Sequence, residues 1–344
     1  MLFAPIVQDR YRLIMPFPLK GVAEDYKDVS FDKNSWWDGT YSRKKEDYIS
    51  HNFGLRDYLI RLYNQLSFDL WKTSNTMDVV IGKENYLYEK GYIDAFFGVD
   101  FIGHDSIAIS AYKLKMIQDT LAKLNKTLLI ILAPGKGDFF PEYIPEKYFK
   151  RKMVTNFEVY KNELEKNSVN FIDFNSWFIK NKFKATYPLF PQCGIHWSLY
   201  GSWLAADSVI KKLEAIRNID LADAKCVFLS YPEEARFNDY DVGEGLNLLF
   251  KVPSYKMAYP FITIEENTKK IRPNALVIGD SFYRLLLNTG IPDKVFNTHT
   301  YWYYNRVTEK QDKSLVGLTG KDLQSEINKE EVIISILNKT PSDL

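Results

Sequence analysis

Residues 274–287 read NALVIGDSFYRLLL, an apolar run that ends in Gly-Asp-Ser and continues into a leucine-rich segment. The pattern predicts a buried strand that turns at Gly279 into a helix whose first residue is Ser281. The first N–H groups of a helix have no intrahelical acceptor and lie at the positive end of its dipole. They could therefore stabilise the oxyanion that a nucleophilic serine generates. Alone the motif is weak, because Ser281 or Asp280 could simply cap the helix.

The region around this stretch alternates between predicted strands and helices. The runs at 128–133 and 332–337 are continuously apolar, as in strands covered on both faces. Helices are predicted over 107–124, 153–166 and 198–215, and further strands over 169–174 and 275–279. This alternation predicts an α/β fold, a parallel sheet flanked by helices, with its ligands at the carboxyl ends of the strands. Lys136, Asp173 and Ser281 all follow such ends.

The first third of the chain has a different pattern. Residues 43–71 predict helix, and residues 79–88 predict a hairpin of two short strands around Gly-Lys-Glu-Asn. We therefore predict a membrane-proximal segment and one following domain, which consists of an extension and an α/β core. Their bounds are 1–30 for the segment, 31–344 for the domain, 31–105 for the helical and hairpin extension, and 106–344 for the core.

The N-terminus is apolar over residues 1–7, which is far shorter than the ~20 residues of a membrane-spanning helix. Two interpretations stay open. The run is either the end of a longer signal or anchor segment encoded upstream, or an ordinary apolar terminus that packs on the domain.

Composition excludes several classes of function. Lysine plus arginine number 45 against 44 aspartate plus glutamate, which removes the electrostatic case for a nucleic-acid partner. The sequence contains no C-x-x-C pair and no Walker loop, so we predict no metal site and no diffusible cofactor. Cys193 and Cys226 could form a disulfide in an oxidising compartment or remain thiols.

A nucleophilic serine needs a histidine within hydrogen-bond distance. The chain has four histidines, at positions 51, 104, 196 and 299. His51 and His104 lie outside the region of the strand ends, whereas His196 lies in a loop beside the sheet and just before a predicted helix. We therefore predict His196 as the base and rank His299 second. The alternative is that His196 has only a structural role, as a histidine that forms hydrogen bonds with its neighbours.

Five motifs follow one another along the chain. They are NFGLR at 52–56, VIGKENYLY at 80–88, APGK at 133–136 with a following FPE and IP, HWS at 196–198 with Gly201, and GDSF at 279–282. In this order they resemble the AlgX/AlgJ-type SGNH-hydrolase-like family, the periplasmic O-acetyltransferases that modify exopolysaccharides such as alginate. The resemblance covers most of residues 30–344. It implies an SGNH-type fold with a circularly permuted motif order, in which the histidine precedes the serine.

The resemblance also implies a site and a function. Ser281 would be the catalytic nucleophile and His196 its base. The residues expected to bind substrate are Lys136, Trp197, Asp280 and Tyr283. The chain would be a serine-dependent O-acetyltransferase or acetylesterase acting outside the cytoplasm on a cell-surface or exopolysaccharide. A membrane-bound O-acyltransferase could supply the acyl group, and an N-terminal membrane segment could anchor the protein.

One position departs from the family pattern. The family places an aspartate two residues before the histidine, and here that position is Gly194. Without an orienting acid the wrong imidazole tautomer is populated and the rate falls. Another carboxylate could substitute, the candidates being Asp138, Asp173, Asp239 and Asp241. Otherwise a backbone carbonyl orients His196 with low activity, or the domain is catalytically impaired and serves as a glycan-binding or assembly subunit.

Overall fold

A computed structural model of the chain describes residues 4–15, 17–21, 26–264, 269–303, 307–308, 313–314 and 320–337. The chain divides into two compact units. One comprises residues 1–81 and 242–252, and the other comprises residues 82–241 and 253–344. A later segment of the chain thus belongs to the first unit, and the predicted bounds at residues 30 and 105 stay a prediction.

The first unit is mainly helical. Its elements are α1 (Ala4–Tyr11), α2 (Lys33–Trp37), α3 (Thr40–Asn52), α4 (Arg56–Trp71) and β1 (Val79–Ile81). The helix predicted over 43–71 is thus two helices. The break follows from the backbone of Leu55, whose φ of 75° is left-handed and cannot continue a right-handed helix.

The second unit contains most of the regular structure. Its first half comprises β2 (Leu87–Glu89), α5 (Lys90–Phe97), α6 (His104–Lys123), β3 (Thr127–Leu132), α7 (Lys136–Phe139), α8 (Asn156–Lys166), β4 (Phe171–Asp173), α9 (Phe174–Asn181), α10 (Leu199–Arg217) and β5 (Ala224–Ser230). The short helix α11 (Asp241–Gly245) starts at the last residue before the 242–252 segment. The remaining elements are β6 (Tyr259–Ile264), β7 (Ala275–Gly279), α12 (Ser281–Asn288), α13 (Ile291–Val295), β8 (His299–Tyr303), β9 (Val307–Thr308), β10 (Lys313–Ser314), α14 (Gly320–Asn328) and β11 (Val332–Leu337). Short 3-10 helices occupy Lys83–Asn85, Pro141–Tyr143, Glu146–Tyr148 and Phe237–Tyr240.

A seven-stranded sheet forms the centre of the second unit within the described residues, in the order β10-β9-β8-β7-β11-β3-β4. The five strands from β8 to β4 are parallel, and β9 and β10 extend the edge in antiparallel pairing. Leu276, Ile333 and Ile130, on three adjacent strands, share one buried cluster. The predicted α/β fold with a parallel sheet flanked by helices is confirmed.

Two features of the second unit were not predicted from the sequence. β8 lies in the segment between the serine helix and the last strand, where its HTYWY sequence shows no long apolar run. β5 and β6 form a separate antiparallel pair in a region that read as loop-rich. Both strands of this pair are largely exposed or half-buried, so they lack the apolar alternation that marks a strand.

The parallel arrangement decides which residues can meet. β3, β4 and β7 end at Leu132, Asp173 and Gly279, and their carboxyl ends share one edge of the sheet. His299 is the first residue of β8 and lies beside Ala275, the first residue of β7. His299 therefore lies at the amino ends of the strands, whereas Gly279 lies at their carboxyl ends.

The helices that the structure describes include none that is both long and apolar enough to cross a bilayer. Residues 1–3 of the apolar start lie outside the described residues, and α1 begins at Ala4. The expectation of an upstream signal or anchor segment stays a prediction.

Candidate active site

Ser281 occupies the first position of α12, directly after the turn that follows β7. Asp280 caps this helix, because its Oδ1 atom accepts the Phe282 N–H at 2.9 Å. The Tyr301 hydroxyl donates to the Asp280 carbonyl and ties the turn to the neighbouring strand β8. The turn is therefore held from two sides, while Ser281 itself remains partly exposed.

His196 lies in the loop before α10 and is 6% exposed. Ser198 caps α10 by accepting the Gly201 N–H at 2.9 Å, and its hydroxyl donates to the Pro188 carbonyl at 2.8 Å. The Phe282 ring packs against the imidazole at a centroid distance of 4.9 Å and an angle of 63°. The residue after the serine thus fixes the plane of the histidine ring.

Ser281, His196 and Asp241 form a continuous hydrogen-bonded chain. His196 Nε2 lies 2.7 Å from Ser281 Oγ, and His196 Nδ1 lies 3.0 Å from Asp241 Oδ2. A carboxylate can only accept, so Asp241 places the proton of a neutral imidazole on Nδ1. Nε2 is then the acceptor for the serine hydroxyl, which is the arrangement that proton removal from Ser281 requires.

Asp241 supplies the carboxylate that position 194 lacks. A Cβ atom at Gly194 would lie 2.3 Å from the Asn238 carbonyl oxygen and 3.1 Å from the Asp239 carbonyl carbon. The segment that leads to Asp241 thus fills the space that a side chain at position 194 would need.

The other three candidate acids lie elsewhere or act differently. Asp173 caps α9 through the Ser176 N–H and forms an ion pair with Lys161 at 2.8 Å. Asp138 lies in the short helix α7, and the Nδ1 atom of the imidazole is already bonded to Asp241. Asp239 is 3% exposed, and burial raises its pKa to about 7, with the negative charge of Asp241 acting in the same direction. Asp239 is therefore a second buried carboxyl group close to the Ser281–His196–Asp241 triad.

The four residues expected to bind substrate are all buried, with exposures of 0% for Lys136 and Trp197, 3% for Asp280 and 2% for Tyr283. Trp197 packs among the rings of Phe174, Phe178 and Phe282. Asp280 acts as the helix cap described above. These side chains do not form an exposed cleft wall, and the substrate-binding role expected for them stays a prediction.

The N–H groups at the start of α12 are partly used. Those of Phe282 and Tyr283 are directed to the side chain and the carbonyl of Asp280, at 2.9 and 3.2 Å. The N–H of Ser281 is the one at this turn for which no acceptor is recorded in the described residues. It is therefore the donor at the helix start that an oxyanion on a Ser281 adduct would meet first.

The other histidines and the two thiols are not members of the Ser281–His196–Asp241 triad. His299, ranked second from the sequence, bonds to Asp293 Oδ1 at 2.8 Å at the opposite edge of the sheet. Cys193 is buried and Cys226 is half-buried, and both are thiols. Among the described residues no group of three or more histidine, cysteine, aspartate or glutamate side chains could hold a metal ion.

A serine, a histidine and an aspartate linked by hydrogen bonds at the end of a parallel α/β sheet is an arrangement that also occurs in serine hydrolases and acyltransferases. Residues 79–257, just over half of the chain, match the model of the SGNH hydrolase-like domain family, acetyltransferase AlgX. The chain belongs to this family. The matched range includes His196 and Asp241 and ends before Ser281.

Comparison with solved structures supports the same fold. The chain is similar to the O-acetyltransferase domain of Pseudomonas putida AlgJ, at 14% identity and a TM-score of 0.51, over 77% of this chain and 92% of that one. It is also similar to Pseudomonas aeruginosa AlgX, at 13% identity and 0.48, over 76% and 62% of the two chains. Bacillus cereus PatB1 matches at 12% identity and 0.45, over 69% and 90%. No curated protein matches the chain.

Proposed function

We propose that this protein is an O-acyltransferase or acetylesterase that acts outside the cytoplasm on a polysaccharide, with Ser281 as the nucleophile. The observation that carries the proposal is the Ser281–His196–Asp241 chain with both hydrogen bonds at 3.0 Å or shorter. Membership of a family described as acetyltransferases supports the acyl group as acetyl. Similarity to the O-acetyltransferase domain of Pseudomonas putida AlgJ also supports acetyl transfer, and the family resemblance of the sequence motifs supports a glycan as acceptor.

The reaction divides into two half-reactions. In the first, His196 Nε2 takes the proton of Ser281 as the hydroxyl oxygen attacks the carbonyl carbon of the acyl donor. The tetrahedral oxyanion receives the Ser281 N–H at the positive end of α12. Collapse breaks the bond to the donor's leaving group, which takes the proton from His196. Ser281 is left as an ester.

In the second half-reaction a sugar hydroxyl or a water molecule attacks the Ser281 ester. His196 now takes the proton of the attacking hydroxyl and returns it to Ser281 as the ester bond breaks. The product is an acylated glycan after transfer, or a free carboxylic acid after hydrolysis. The Asp241 carboxylate holds the Nδ1–H of His196 and stabilises the imidazolium that forms in each half-reaction.

The sequence also left open a catalytically impaired, glycan-binding subunit, for which Gly194 was the reason. The Asp241 carboxylate removes that reason, because the imidazole has an acid partner after all. A membrane-bound O-acyltransferase as acyl supplier and a membrane anchor at the N-terminus are parts of the proposal that rest on family resemblance.

Hydrolysis of a chromogenic acetate ester by the purified chain tests the proposal. Ser281→Ala and His196→Ala should each lower kcat by ~10³-fold or more. Ser208→Ala on α10 and His299→Ala, which removes the second histidine–aspartate pair, are matched controls and should retain turnover. Equal rates for the wild type, Ser281→Ala and His196→Ala would refute the proposal. Product acetylation that depends on added polysaccharide would distinguish transfer from hydrolysis.

A further inference from the structure

Lys136 lies at the carboxyl end of β3, and its side chain is fully buried, with 0% exposure. It begins the four-residue helix α7 after the Ala-Pro-Gly turn. Its ammonium donates to the carbonyl of Gln192 at 2.7 Å and to the carbonyl of Gly194 at 2.5 Å. The same nitrogen lies 5.5 Å from the centroid of the Tyr88 ring.

This cation is expensive to bury. Among the described residues no carboxylate lies within the 4.0 Å limit of an ion pair with Lys136. Burial lowers its pKa to about 7, and the nearby negative charge of Asp241 acts in the opposite direction. Two carbonyls and a ring offset only part of the loss of hydration. An apolar side chain of similar length would avoid the cost, so stability of the fold does not explain the lysine.

The two carbonyls belong to the loop that carries His196. Gln192 and Gly194 precede the histidine by four and two residues, so Lys136 fixes this loop to the end of β3. Gly194 is also the point at which the loop touches the segment leading to Asp241. A Cβ atom at Gly194 would lie 2.3 Å from the Asn238 carbonyl oxygen. The Lys136 ammonium thus holds the loop at the point where the loop that carries His196 and the segment that carries Asp241 are aligned.

We propose that Lys136 is a positioning residue that sets the contact between His196 and Asp241 by holding the carbonyls of Gln192 and Gly194. It touches neither substrate nor reacting atoms and acts through the loop. The inference rests on the proposed function of Ser281. It also reassigns Lys136 from the substrate-binding role that the sequence suggested.

The kinetic test compares Lys136→Met with Lys182→Met. Lys182 is a matched control, because its ammonium also holds a carbonyl, that of Phe139 at 2.6 Å, but makes no bond to the His196 loop. We expect Lys136→Met to lower kcat for acetate-ester hydrolysis ~10- to 100-fold with KM changed less than about 3-fold. Lys182→Met should keep kcat within about 3-fold. Lys136→Gln, which is uncharged and too short to hold both carbonyls, serves if the Met variant does not fold and should lower kcat in the same direction.

A second measurement does not depend on turnover. With ¹⁵N-labelled histidine, the Nδ1–H of His196 that is bonded to Asp241 should give a low-field proton signal that Asp241→Asn removes. We expect this signal to be lost or broadened in Lys136→Met or Lys136→Gln and kept in Lys182→Met. An unchanged signal and an unchanged kcat in the Lys136 variants would overturn the inference, as would a wild type without an Asp241-dependent signal. A wild type that gives the signal but has no Ser281-dependent turnover would refute the proposed function and leave the positioning role standing.

Discussion

Replacement of Asp241 by asparagine separates the proposed active site from a structural cluster of the same residues. Asparagine keeps the size of the side chain but removes the charge, and its amide can turn an N–H toward His196 Nδ1. The imidazole would then carry its proton on Nε2, where it cannot accept the proton of Ser281. We expect kcat to fall and KM to stay near the wild-type value, because Asp241 contacts the imidazole and not the substrate.

The size of the loss in kcat follows from the hydrogen bond between His196 and Asp241 and from the solvent exposure of the Asp241 side chain. A hydrogen bond to a charged partner contributes ~1.5–3 kcal/mol, which at ~1.36 kcal/mol per tenfold in rate is ~10- to 160-fold. The wrong tautomer raises this toward the ~10⁴-fold seen in buried Ser-His-Asp sites. The Asp241 side chain is 31% exposed, so water reaches it and screens part of its charge. The expected loss in kcat is therefore about 10²- to 10³-fold.

Steady-state hydrolysis of an acetate ester measures this loss, with Asp173→Asn as the control. Asp173 was an equal candidate in the sequence, but it caps α9 and pairs with Lys161. Asparagine caps a helix about as well as aspartate, so this replacement should leave kcat unchanged and lose mainly the ion pair with Lys161, ~0.2–1 kcal/mol. A second aspartate at the family position, Gly194→Asp in the Asp241→Asn background, should not restore activity, because the site has no room for a Cβ atom. A kcat for Asp241→Asn within about 3-fold of wild type would refute the reasoning.

Three further predictions follow from the same residues. Gly194→Ala should lower the free energy of unfolding by ~1–3 kcal/mol and reduce kcat, since its Cβ atom would press on the Asn238 carbonyl; denaturant titration and ester hydrolysis measure the two effects, and full stability would contradict the packing. Because burial raises the Asp239 pKa from 3.8 to about 7, the native state holds a proton that the unfolded chain releases. The free energy of unfolding should therefore fall as the pH rises from 3.8 to about 7. Denaturant titrations at these two pH values measure the fall, and Asp239→Asn should make it smaller. Lys136 should have the opposite effect on the pH dependence of stability. Because its pKa is lowered to about 7, the unfolded chain binds more protons than the native state just above that pH. The free energy of unfolding of the wild type should therefore rise with pH just above pH 7, and Lys136→Met should remove this rise.

Much of the fold was predictable because its strands are long apolar runs. β7 and β11 are paired side by side and fully covered, so their sequences ALVIG and VIISIL identify them without a partner. β8 was missed because its HTYWY sequence lacks such a run, although it pairs with β7 along its whole length. The helix break near Leu55 is set by backbone geometry that a helical spacing of leucines does not report.

The proposed serine nucleophile and histidine base could be predicted from local motifs, since each lies at a strand or helix end with a recognisable turn. The proposed orienting acid could not be singled out in this way. Asp241 is 45 residues from His196 and lies after an irregular stretch, so nothing in the sequence distinguished it from Asp239, two residues earlier. Gly194 supplied the only local clue. Its lack of a side chain now has a physical reason, because the segment that carries the acid passes directly against it.

The central claim is that Ser281 becomes covalently acylated with His196 as its base. Intact-mass and peptide mass spectrometry after treatment with a serine-directed sulfonyl fluoride tests this most directly. The account predicts one adduct, on Ser281, that forms much more slowly in His196→Ala and in Asp241→Asn and at the wild-type rate in His299→Ala. An adduct on another residue, or labelling of Ser281 that is equally fast without His196, would contradict it.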